Sequence, residues 1–76
     1  MKYLITVYDR NMKHTIETLE EDNFEKAIQT SIFISLINDC VVEMIDNYTG
    51  ELHFSKNDVK HYLSVDARRA IIACLK

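Results

Sequence analysis

The side chains able to carry acid–base, nucleophilic or metal chemistry are few: His14, His53, His61, Cys40 and Cys74. A structural zinc site needs four ligands at tight local spacing and a catalytic one needs three. This chain has no CxxC and no HxxxH pair. His14 and His53 each fall on the second strand of a hairpin and so could approach one another, but two ligands do not make a site. Cys74 lies in Ala73-Cys74-Leu75, an apolar context that does not favour the reactive thiolate. The single glycine, Gly50, excludes a glycine-rich phosphate loop. Carboxylates are plentiful, yet no spacing places two of them in an apolar cleft, and a short chain has little room for one. No enzymatic activity, no metal and no cofactor are expected. The two cysteines read as small hydrophobes in a reducing, cytoplasmic compartment.

Charge is distributed unevenly. Residues 14–55 hold nine acids (Glu17, Glu20, Glu21, Asp22, Glu25, Asp39, Glu43, Asp46 and Glu51) against Lys26 alone, a net of −8. Residues 56–76 hold five bases (Lys56, Lys60, Arg68, Arg69 and Lys76) against Asp58 and Asp66, a net of +3. The whole chain carries −3, the wrong sign for a phosphate backbone. An acidic face at Glu17, Glu20 and Glu21 suits a protein partner with a basic surface, because complementary charge speeds encounter and selects partners. Asp22 and Glu25 are explained by capping the helix that follows.

The elements that would position these groups follow from periodicity. Seventy-six residues without proline make one domain, 1–76, with few long loops and a thin core. No apolar run reaches the roughly 20 residues of a membrane span. Residues 1–11 read as a first strand and turn rather than a leader. Lys2 to Tyr8 alternates and is rich in β-branched and aromatic residues; His14 to Leu19 follows as its hairpin partner. Asp22, with Glu25 three residues on, resembles a capping box, and Phe24, Ile28, Ile32 and Leu36 form one helical stripe ending near Asn38-Asp39. Cys40 to Asp46, the turn Asn47-Tyr48-Thr49-Gly50 and Glu51 to Ser55 make a second hairpin.

The end of the chain reads as helical again. Asn57 or Asp58 caps a segment containing Val59, Tyr62 and Leu63, and Ser64 caps a helix from Val65 to about Leu75; one long bent helix is the alternative. The expected fold is α+β, ββα-ββα: a four-stranded antiparallel sheet with two helices packed on one face. Tyr3, Ile5, Val7, Ile16, Val42, Met44, Leu52 and Phe54 would point to the helices. Thr6, Tyr8, Glu17, Glu43 and His53 would point away.

One helix has more apolar residues than a single stripe can use. Phe33 and Ile37 fall away from the inner stripe, and Ile34 on a third line. Such a helix must be covered on more than one side, by the second helix or by another subunit, which makes a homodimer one way to enlarge a small core. These features favour a non-enzymatic protein-binding module. Its narrower form is a small phage or mobile-element inhibitor that blocks a host nucleic-acid-handling (defence) protein through an acidic and apolar surface. The alternative is a small nucleic-acid-binding regulator using the basic C-terminal helix.

Overall fold

The computed structural model describes residues 2–10, 14–37, 40–57 and 61–75. Five strands and two helices follow in the order β1 (Tyr3–Tyr8), β2 (Thr15–Glu21), α1 (Phe24–Ile37), β3 (Val41–Asp46), β4 (Leu52–Lys56), β5 (His61–Leu63) and α2 (Val65–Cys74). The sheet is antiparallel throughout, in the order β2-β1-β3-β4-β5. Tyr3, Ile5, Val42, Met44 and Phe54 of the sheet form one core with Ala27 and Ile28 of α1 and Ala67 of α2. Neither described helix is long and apolar enough to cross a membrane.

The α+β class matches the sequence reading, but the strand count does not. His61–Leu63, expected to open a helix, pairs with β4 instead: Phe54 faces Leu63, Ser55 faces Tyr62 and Lys56 faces His61. The edge of β4 offers unpaired backbone groups, and satisfying them outweighs a short stretch's helical propensity. Ser64 then caps α2 as its sequence suggests, its hydroxyl accepting the Ala67 N–H at 3.1 Å. The expected turn at Asn11-Met12, the helix end at Asn38-Asp39 and the cap region Asp58-Val59 lie outside the described residues.

Two irregularities in register overturn the simple alternation of faces. Between Val7 and Tyr8 the β2 partner jumps from Glu17 to Thr15, so Ile16 is extra and stands 62% exposed rather than inward. Glu17 thereby falls opposite Val7, on the helix side of the sheet. Between Met44 and Ile45 the β4 partner jumps from Phe54 to Leu52, so His53 is extra. A bulge of this kind re-aims the inserted side chain. His53 is buried, against the outward position that strict alternation predicts, and Leu52 pairs with Ile45 on the uncovered face.

The β3–β4 turn is held by Asp46. Its carboxylate accepts the Tyr48 and Thr49 N–H groups at 2.8 and 3.2 Å, its carbonyl accepts from Gly50, and Gly50 adopts φ 77°. The Tyr48 amide is the main cause holding the Asp46 carboxyl below its usual 3.8; burial opposes, while the Thr49 amide, Lys2 and His53 add to the lowering. A lowered folded-state value stabilises the fold above the unfolded value and loses that effect as pH falls through the folded one. The Asp46→Asn variant keeps an acceptor but no charge. Wild type should therefore be the more stable at pH 7, with the difference in melting temperature shrinking below about pH 4. A difference that stays constant from neutral to acid pH would contradict this.

Candidate interaction surface

The surface begins with how α1 meets the sheet. Its fully buried residues are Ala27, Ile28, Ser31 and Ser35; of the stripe read from the sequence, Ile28 is in the core and Phe24 and Ile32 pack against it half-buried, while Leu36 does not. Ser31 is wholly buried and Ser35 nearly so. A serine can be buried in a helix when its hydroxyl bonds back to a carbonyl one turn earlier. Ser31 does so to Ala27 at 2.7 Å, and Ser35 to Ile32 at 2.6 Å. Small residues at 27, 31 and 35 complete the buried face beside Phe24, Ile28 and Ile32, which leaves the large side chains of the last turns outside it. Leu36, expected in the core stripe, is 73% exposed; Phe33 and Ile37 are 61% and 60% exposed.

The start of α1 is capped by Asn23, whose Oδ1 accepts the Lys26 N–H at 2.9 Å, and not by Asp22. Glu21 accepts the Asn23 N–H, the task the sequence reading assigned to Glu25. At the other end the Lys56 ammonium donates to the Ser35 carbonyl at 2.7 Å, placing a cation where the helix dipole is negative. Lys56 thus serves α1 rather than a basic patch. Arg68 and Arg69 remain exposed on α2.

Where α2 lies against α1, an apolar groove of about 320 Å³ opens to the surface. Ile28, Ile32, Phe33 and Leu36 form its α1 side, and Ala70, Ile71 and Leu75 form its α2 side. Polar groups meet at one end, where Gln29 Nε2 donates to Cys74 Sγ at 3.1 Å and that thiol faces Glu25 Oε2 at 3.8 Å. Among the described residues, Glu25 is the one charged side chain lining the groove. Leu75 of the lining is 82% exposed; Ile37 and Ile72, outside the lining, are exposed as well. Of the sequence-derived interface pair, Phe33 lines the groove and Ile37 is exposed outside its lining. Leu36 and Leu75 were missed; the small residues at 27, 31 and 35 were the signal that could have revealed Leu36, and no local signal marks Leu75.

The acidic residues singled out from the sequence are placed differently. Glu17, Glu20 and Glu21 all belong to β2, an edge strand of the described sheet. Glu17 and Glu21 face the helix side, opposite Val7 and Tyr3, and Glu20 faces the other side, opposite Leu4. They form an acidic edge rather than one acidic face, and charge along an edge strand also discourages unwanted strand pairing.

One arrangement resembles a catalytic chain. His53 Nδ1 lies 2.8 Å from Ser64 Oγ, and its Nε2 lies 3.5 Å from Glu51 Oε2. A serine nucleophile must present its oxygen to a substrate. Ser64 Oγ is instead buried and occupied by the Ala67 N–H. The Ser64 hydroxyl donating to Nδ1 leaves Nε2–H toward the Glu51 carboxylate, which assigns the tautomer by hydrogen-bond logic. His53 is also packed edge-on by Phe24, centroids 4.9 Å apart, and by Tyr3 at 6.1 Å. The group braces the start of α2 against β4. Among the described residues no three His, Cys, Asp or Glu side chains are placed to hold a metal.

Compared with known protein families, curated proteins and solved structures, the chain matches none.

Proposed function

We propose that this chain is a non-enzymatic protein-binding module that works through the outer face of its two helices. One observation carries the reading: Phe33, Leu36 and Leu75, each more than half exposed, line a single apolar groove between the two helices. A contiguous exposed apolar patch marks a contact surface more often than chance exposure does. The acidic edge on β2 supplies a second, electrostatic surface, suited to a partner with basic groups. An inhibitor of a host nucleic-acid-handling protein, of phage or mobile-element origin, is the narrower form that such an edge favours, because those proteins carry basic grooves.

The test is site-specific photo-crosslinking in cells producing the protein. A photoreactive residue replaces Phe33 or Leu36, with Tyr48 on the β3–β4 turn, 76% exposed, as the control position. Protein adducts from positions 33 and 36, and none from 48, are expected. Their absence from 33 and 36 would remove the reading, and loss of adducts on Arg68→Glu with Arg69→Glu would favour the nucleic-acid alternative.

A further inference from the structure

We infer that the open edge of β2 takes up an extended basic segment of a partner protein as an added strand; the inference rests on the protein-binding reading above and places a partner on the strand edge rather than on the helices. The backbone is the first argument. β2 ends the described sheet, and from Glu17 to Glu21 it pairs with Val7 to Tyr3 residue for residue. In such a ladder every second residue turns its N–H and C=O away from the neighbouring strand. On an edge strand those groups form a regular row that a further extended chain can join. The side chains along it stand clear: Thr15 to Thr18 and Glu20 are exposed, and Leu19 and Glu21 are half-buried. The register irregularity at Ile16 limits the straight run to Glu17–Glu21.

Charge selects the occupant. The run Glu17–Glu21 holds three acids and no base. A second copy fits poorly, because two β2 edges joined about a two-fold axis at Leu19 would set Glu17 against Glu21 twice. Like charges directly opposite one another destabilise a strand pair, and opposite charges stabilise it. A basic segment therefore gains at the positions where a second copy loses. Lying antiparallel to β2, as every strand pair of the described sheet does, it would place its first residue opposite Glu21, its second opposite Glu20 and its fifth opposite Glu17. Those three call for Lys or Arg. The third, opposite Leu19 on the helix side, calls for an apolar residue, and the fourth, opposite Thr18, for a β-branched one. Backbone pairing supplies affinity in this mode, and the side chains supply selectivity.

The probe is a synthetic peptide containing Lys-Lys-Val-Thr-Lys, titrated into the full isotope-labelled chain and followed by amide NMR. Shifts centred on Glu17–Glu21 and slower hydrogen exchange of β2 amides are expected, with binding that weakens as salt rises. Methylating alternate backbone nitrogens of the peptide keeps its charge and removes its strand donors, which should weaken binding at least about tenfold. Glu17→Lys with Glu20→Lys should weaken binding of the unmodified peptide at least about tenfold. Both side chains are exposed, and Glu21 is left in place because it accepts the Asn23 N–H before α1. Asp66→Lys, an exposed charge reversal on α2, should leave binding unchanged. No shift in β2 at about millimolar peptide overturns the inference, as does equal binding of the methylated peptide or of the Glu17 and Glu20 variant. Crosslinks at positions 33 and 36 with no peptide binding would end the strand-edge inference alone; peptide binding at β2 without those crosslinks would uphold it and remove the helix-face reading.

Discussion

Ser31→Leu is expected to destabilise the protein more than Leu36→Ser, the reverse of what hydrophobicity suggests. Ser31 is completely buried between α1 and the sheet, its hydroxyl bonded to the Ala27 carbonyl. Leucine there adds volume at a position that is already 0% exposed. Overpacking of this kind costs about 1–3 kcal/mol. A domain of this length holds roughly 4–11 kcal/mol in total, so Ser31→Leu should lower the denaturation midpoint markedly. Leu36 is 73% exposed, and its replacement by serine should stay within about 0.5 kcal/mol. Urea titration of both variants separates these outcomes. Equal or inverted losses would mean that α1 is rotated from the placement described.

The second large effect is expected at Ser64. Its hydroxyl caps α2 and satisfies the buried His53 ring at the same time. Ser64→Ala removes a cap, about 1 kcal/mol, and orphans a buried ring nitrogen, about 1–3 kcal/mol more. A loss of about 2–4 kcal/mol follows from the two together. His53→Phe removes the polar ring while keeping an aromatic body between Tyr3 and Phe24. Once that ring is gone, Ser64→Ala costs only the cap, so the double variant should be more stable than the sum of the two single losses predicts. The coupling should lie within about 0.5–3 kcal/mol. Strict additivity would show that the 2.8 Å contact contributes nothing to the fold.

Local chemistry was legible from the residues alone. The alternation in Tyr3 to Tyr8, the Gly50 turn and the Ser64 cap each follow from preferences acting within a few residues, and each appears as read. The Phe33 and Ile37 surplus on α1 was legible too, because no single stripe can bury so many apolar side chains.

The tertiary structure decided what depends on partners distant in sequence. His61–Leu63 became a strand because β4 had an open edge beside it. His53 turned inward, and Ile16 outward, because bulges shift register by one residue, and period-two reasoning cannot see where an extra residue is absorbed. The face of α1 that became buried combines Ala27, Ser31 and Ser35 with Phe24, Ile28 and Ile32, so the stripe read from the sequence is kept at its start and lost at Leu36. That outcome, decided between layers rather than along the chain, leaves Phe33, Leu36 and Ile37 at the surface, the first two in the groove beside α2.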